Sequence, residues 1–175
     1  MADDTSTSIL VTGDTHLDSP ELSSKIDDAL TESDLVVHVG DYTSAEVLDY
    51  FERQDFRGVY GNADPREVKG RLDRKTSFEV NGLRFTLVHG HRVSSSQEFG
   101  YIAAQDDADV LIHGHSHKPR ADRGNALVLN PGSPTRPRGH PPTYCALELP
   151  PNPDGFHDIR GAIYGLDGDT VADID

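Results

Sequence analysis

Five polar blocks interrupt this chain, each beside a run of apolar residues: Asp14-Thr15-His16, Gly40-Asp41, Gly61-Asn62-Ala63-Asp64, Val88-His89-Gly90-His91 and Gly114-His115-Ser116-His117. The preceding runs at residues 8–12, 35–39, 58–60, 83–88 and 109–112 read as buried strands. In parallel α/β sheets the carboxyl ends of strands share one edge, and function gathers there. Every block offers carboxylate or amide oxygen, imidazole nitrogen, or both, the donor types of a non-thiolate metal centre. The chain must therefore fold so that five strand ends meet.

The connecting segments fix the rest of the reading. Ser19-Pro20-Glu21 has the form of a helix start, with a helix expected to about residue 30. A second helix is expected from Ser44 through Phe51. Strand, helix, strand, helix, strand implies parallel pairing with right-handed crossovers. Asn81-Gly82 is a hairpin turn between strands at 78–80 and 83–88, and Gly124-Asn125 turns a second hairpin into 126–129. A helix is expected over 96–104 and a strand over 144–149. Residues 150–155 read as a loop, and 159–164 as a final edge strand. These elements suit an α/β fold of two packed mixed sheets with helices outside. A chain of 175 residues fits one domain spanning 1–175, with the motifs in about 8–149 and a C-terminal loop and strand in 150–175.

Asp and Glu total 30 against 16 Lys plus Arg, a net charge of −14. The lysines are Lys25, Lys69, Lys75 and Lys118 alone. No basic stripe exists to displace counterions, so nucleic acid is not expected as a stable partner, nor an anionic membrane. Aspartate-rich, lysine-poor composition resembles that of proteins from salt-accumulating halophilic archaea, in which self-repulsion needs screening. Residues 1–8 are polar and acidic with no apolar leader, so the expected location is cytoplasmic. Cys145 is the only cysteine, which excludes an internal disulfide and thiolate clusters. It reads as an inert buried thiol in a strand.

In their order and spacing, the five blocks resemble the motif of the calcineurin-like metallophosphoesterase superfamily: D-x-H, GD, G-N-H-[D/E], a single His, then G-H-x-H. The likeness is to its small single-domain phosphodiesterases, and Asn130-Pro131-Gly132-Ser133 shares it. The resemblance implies a four-layer α-β-β-α sandwich and two divalent metal ions. One would be held by Asp14, His16, Asp41 and His117, the other by Asp41, Asn62, His89 and His115, with Asp41 bridging. A shared carboxylate offsets repulsion between two cations, and neutral Asn62 leaves the pair positive toward phosphate. With N and O ligands only, Mn²⁺ is the first choice, and Ni²⁺, Fe²⁺, Co²⁺ or Zn²⁺ would also bind. The implied reaction is hydrolysis of a small phosphate ester by a metal-bridging hydroxide, in a dinuclear phosphodiesterase. Asp41 and Asn62 would act in catalysis.

The third block departs from the family pattern, because Ala63 stands where the family has a histidine that protonates the leaving group. General-acid help contributes roughly 10²–10⁴ in rate, so substrates with acidic leaving groups should suffer least. His91, two residues from His89, is the candidate substitute. Two alternatives remain on this motif: a phosphomonoesterase or nucleotide pyrophosphohydrolase, or a non-enzymatic protein-binding scaffold like the eukaryotic retromer subunit, which also lacks that histidine. Other residues read more simply. His38 is expected as a satisfied core histidine, His113 as packing or support, and His140 and His157 as solvated. Asp64 either orients a neighbour or caps Pro65-Arg66. Gly132 reads as a turn residue, and Asp18, Asp27 and Asp28 as a solvated face. Tyr101-Ile102-Ala103-Ala104 reads as the buried face of a helix, with a homodimer surface as the alternative.

Overall fold

Side chains alternate across each strand, and in this chain both faces of the central strands are apolar, which demands cover on both sides. The computed structural model describes residues 5–174; residues 1–4 of the polar N-terminal segment lie outside them. One sheet has the order β11-β10-β9-β1-β2-β3. Its strands are β1 (Thr7–Thr12), β2 (Leu35–His38), β3 (Phe56–Gly58), β9 (Thr143–Leu149), β10 (Arg160–Gly165) and β11 (Thr170–Asp173). The other has the order β4-β5-β6-β8-β7. It comprises β4 (Lys75–Val80), β5 (Leu83–Val88), β6 (Val110–His113), β7 (Arg120–Arg123) and β8 (Leu127–Asn130). Helices α1 (Ser24–Glu32), α2 (Ala45–Phe51), α3 (Arg66–Lys69) and α4 (Ser96–Gln105) complete the fold.

The layers follow from the alternation. Ile9, Val11, Leu35 and Val37 face Phe85, Leu87, Val110, Ile112, Leu127 and Leu129 in one core between the sheets. The intervening Leu10 and Val36 join Ile26, Leu30, Val47, Leu48, Phe51 and Val68 under α1, α2 and α3. Val88 and Leu111 pack with Ala103 of α4 on the far side. This is the α-β-β-α sandwich. Parallel pairs β1·β2, β2·β3, β5·β6 and β6·β8 point their carboxyl ends to one edge. Antiparallel β4·β5 turns through Asn81 and Gly82, whose φ values of 50° and 84° are the left-handed pair a two-residue hairpin requires.

Several boundaries differ from the sequence reading, each for a local reason. The first helix begins at Ser24, not near Ser19. Residues 17–23 stay irregular because Leu17 N is tied to Tyr42 O and Leu17 and Leu22 pack against the α1–α2 core. β3 lies at 56–58, in register with Val36–His38, and Tyr60 has already left the ladder to donate to Asp73 O. The short α3 was not anticipated. β10 is internal: β11, whose exposed polar pattern carries no strand signal, takes the edge outside it.

His38 is a satisfied core histidine, as its apolar strand suggested. Gly40 N donates to Nδ1 at 3.1 Å, which leaves the proton on Nε2 to meet Thr15 Oγ1 at 3.2 Å. Its ring stacks on Tyr42, and burial keeps it neutral. Cys145 is buried, and burial pushes its thiol pKa up, so it is no nucleophile. No helix among the described residues is long and apolar enough to cross a membrane.

Candidate metal centre

The five blocks are stitched together through their backbones before any side chain is considered. Asp14 N donates to Gly40 O and His16 N to Asp41 O, both at 2.9 Å, which zips the first block to the second. Gly114 N donates to His89 O at 3.0 Å, which joins the fifth to the fourth. His115 N donates to Asp14 Oδ2 at 2.9 Å, which links the two sheets. Asp64 is the remaining fastener: its carboxylate accepts from Asp41 N at 2.9 Å, Gly61 N at 2.7 Å and Thr43 N at 2.8 Å. It orients its neighbours, and α3 has no side-chain cap.

These turns are tight enough to force unusual backbone. Asp14, His16, Asp41, His115 and His117 all have φ between 45° and 70°. Left-handed φ is uncommon outside glycine, costs about 1–3 kcal/mol per residue, and clusters at functional sites. Two of the block glycines are equally constrained. A Cβ on Gly61 would lie 2.1 Å from Asp41 Oδ1, and one on Gly40 would lie 2.6 Å from Gly61 N.

The side chains converge on two overlapping groups, Asp14 with His16 and His117, and Asp14 with Asp41 and His89. Asp41 Oδ1 is occupied by Ala63 N at 2.8 Å. Its Oδ2 lies 3.4 Å from His16 Nε2 and 3.3 Å from His89 Nε2, between the two groups. Asn62 Oδ1 lies 3.2 Å from His89 Nε2. His115 stands beside this cluster with its ring 5.3 Å from that of His89, outside the two groups themselves. Asp14 Oδ1, His16 Nε2 and His117 Nε2 are buried without a hydrogen-bond partner. Three orphaned polar atoms aimed at one point fit a cation, since unpaired buried polar atoms are otherwise costly. The opposite nitrogens are anchored: His89 Nδ1–H donates to Val39 O at 2.7 Å, and His117 Nδ1–H to Arg136 O. That is how ligating imidazoles are usually held.

The electrostatics divide: Asp41 is held ionised and three imidazoles neutral, while Asp14 and His89 are shifted toward their protonated forms. Burial foremost raises the Asp14 pKa to about 7. Burial also pushes Asp41 upward, but the hydrogen bond and charge of His89 with the Ala63 N–H overcome it and bring Asp41 to about 2. Burial lowers His16, His115 and His117, which keeps their nitrogens free for coordination. His89 moves the other way: burial opposes its charge, but Asp41 and Asp14 outweigh that.

His91 reaches the rim, its ring 5.4 Å from that of His89, and burial keeps it neutral. His113 packs instead: it stacks on Phe99 at 3.7 Å and burial lowers its pKa to about 4. Gly132, at φ 74°, is a turn residue whose N–H donates to Asn130 Oδ1. His157 is exposed and His140 partly so.

The sequence reading missed Arg136 and Arg138. Their loop is tethered to the centre by Ser133 Oγ–H donating to Asp14 O, Thr135 Oγ1–H donating to Thr15 O, and the His117–Arg136 bond. Both arginines are exposed, and neither forms an ion pair among the described residues. Arg138 depresses the pKa of Asp14, and it joins burial in lowering His16, His115 and His117. The signal available was the Asn130-Pro131-Gly132-Ser133 run just before them.

A two-sheet sandwich that focuses carboxylates and imidazoles on one edge defines the metallophosphoesterase class. The chain belongs to the calcineurin-like phosphoesterase superfamily, whose domain matches residues 8–151. It is 34% identical over 145 residues to a probable metallophosphoesterase of Methanothermobacter thermautotrophicus, covering 79% of this chain and 84% of that protein. It is 29% identical over 138 residues to a phosphodiesterase of Methanocaldococcus jannaschii, covering 70% and 81%. A crystal structure of Vps29 from Entamoeba histolytica, complexed with zinc, superimposes with a TM-score of 0.72 at 26% identity, covering 91% and 92%. Family membership places the chain among metal-dependent hydrolases of phosphate esters.

Proposed function

We propose that this protein is a dinuclear metal-dependent phosphodiesterase. The observation that carries the reading is the convergence of Asp14 Oδ1, His16 Nε2 and His117 Nε2, all buried without a hydrogen-bond partner, beside Asp41 Oδ2, which faces His16 and His89. Asp14, His16, Asp41 and His117 would hold one cation; Asp41, Asn62, His89 and His115 would hold the other, with Mn²⁺ the first choice. Two such ions supply an acidified water as nucleophile and neutralise phosphate charge. The similarity to a named phosphodiesterase supports the diester over the monoester or pyrophosphate alternatives.

The chain's own residues decide how the leaving group departs. Water's oxygen bonds to phosphorus, the ester P–O bond breaks, and the leaving oxygen must take a proton or meet positive charge. Ala63 offers only its N–H, already given to Asp41. Neutral His91 is a weak acid. Arg136 and Arg138 supply positive field without a proton. Aryl diesters should therefore turn over faster than alkyl diesters, and Ala63→His should narrow that gap, by up to the roughly 10²–10⁴ that a general acid contributes. An unchanged gap in steady-state assays would return the role to His91 and the arginines. Elemental analysis after Mn²⁺ reconstitution should find two ions per chain. The absence of any bound ion would overturn this reading and leave the protein-binding alternative, for which likeness to Vps29 speaks.

The net charge of −14 supports a cytoplasm rich in salt as the working environment. Thermal unfolding followed from low salt to molar KCl should show the melting temperature rising by several degrees, about 1 kcal/mol of relieved repulsion on a chain this size. A flat or falling curve would contradict a halophilic origin.

A further inference from the structure

A cavity of about 380 Å³ opens directly beside the metal centre and shares His89 and His91 with it. Its floor is the end of β5 with the following turn, through Val88 and Val93; its far wall is α4. Glu98, Tyr101, Ile102 and Gln105 recur at three- and four-residue spacing and so line one helix face. The pairing Lys75↔Val88 brings the start of β4 to the same edge, and Lys75 Nζ bonds Asp106 at 2.7 Å, clamping strand to helix. Phe99 stacked on His113 fixes the helix from behind.

Tyr101 is the feature that the fold alone does not explain. The sequence placed it on the buried face of its helix, yet it is 72% exposed while Ala103 is buried. A large aromatic left in solvent loses burial energy of its own. Here it stands at the wall of an apolar cavity whose inner end is the reaction centre. Arg74 and Arg92 also line the cavity, and neither has an ion-pair partner among the described residues. Glu98 is already engaged by Ser94 N at 2.9 Å and Ser94 Oγ at 2.6 Å. The cavity therefore offers an apolar slot, an aromatic face and free guanidinium groups to whatever extends from a phosphate on the metals.

We propose that this cavity is the leaving-group subsite, and that the substrates it selects are phosphodiesters whose leaving group is a flat aromatic ring, lodged against Tyr101 and Ile102 with its ester oxygen beside His91. The volume falls within the range of small-ligand pockets and suits a one- or two-ring group. The inference rests on the phosphodiesterase reading and adds a requirement that acidity alone does not impose: the ring itself is recognised. A diester with an equally acidic but ring-free leaving alcohol should be a poorer substrate.

The test uses the Mn²⁺-loaded protein and two methyl diesters with leaving groups of matched acidity, one a substituted phenol and one a fluorinated alkanol. Tyr101→Ala should raise KM for the phenyl diester by about fivefold, the order of one aromatic contact, and raise it less for the fluoroalkyl diester. Ile102→Trp, which fills the slot, should act in the same direction. Equal effects on both substrates, or none, would overturn the subsite. If the wild type hydrolyses neither diester, the phosphodiesterase reading fails by itself. The subsite is then judged by calorimetry: phenylphosphonate should bind more tightly than methylphosphonate in the wild type but not in Tyr101→Ala, and equal affinities in the wild type would sink it. Light scattering that shows a homodimer lost in Tyr101→Ala would assign the side chain to a second copy and overturn the proposal.

Discussion

Replacing Asp41 by Asn should abolish most activity while leaving the fold intact. The structure separates the two oxygens of this side chain. Oδ1 accepts from Ala63 N, and an amide oxygen can take over that bond. Oδ2 faces His16 and His89, and an amide NH₂ there brings donors where a cation needs an acceptor. The lost charge matters too, because Asp41 is held ionised near pKa 2 and is a cause of the raised His89 pKa. Loss of an outer partner of a metal site already costs about 10–100-fold in affinity or activity, so a carboxylate between both groups should exceed about 100-fold. Metal analysis should show depletion of both ions rather than one. Retained activity with two bound ions would remove Asp41 from the bridging position, whereas loss of one ion alone would assign it to a single cation. Melting temperature provides the control, and it should stay within a few degrees of the wild type.

The sequence carried the site better than it carried the element boundaries, and the reason is physical. The candidate ligands occupy strand ends, where a polar block after an apolar run is visible without knowing the register. His16, Asp41, His89 and His117 were therefore legible and are adjacent in space. Boundaries depend on contacts remote in sequence. Ser19-Pro20-Glu21 has a local helix-start pattern, but packing of Leu17 and Leu22 overrides it. β11 has no apolar alternation because it is an exposed edge, held by its pairing with β10. Arg136 and Arg138 were invisible for a different reason. Their loop has no periodicity, and only the bonds from Ser133 and Thr135 to the first block reveal where it folds back. Tyr101 shows the limit of helical patterning, since an apolar residue beside a cavity and one beneath a sheet look alike in sequence.

Asp64→Ala should be the most destabilising single change at this edge, though Asp64 touches none of the orphaned atoms. Its carboxylate, 4% exposed, is the acceptor for Asp41 N, Gly61 N and Thr43 N. Removing it leaves three backbone donors without their acceptor, two of them in buried bonds. Each unsatisfied buried donor costs about 1–3 kcal/mol, so the loss should reach roughly 3 kcal/mol or more after partial rehydration. The strained geometry makes relaxation easy: Asp41 and Thr43 sit at φ 60° and 71°, and these bonds hold them there. Once released, the turn should relax toward negative φ and swing Asp41 Oδ2 away from His16 and His89. Stability and metal affinity should therefore fall together. Asp64→Asn separates the causes, because its amide keeps one acceptor oxygen and restores part of the network. Urea unfolding and metal titration on both variants give the readout, with Asn expected between the wild type and Ala in each. If Asp64→Ala lost stability but bound metal as the wild type does, the turn would be held by Gly40 and Gly61 packing rather than by the carboxylate. The left-handed backbone would then be intrinsic to the strand ends.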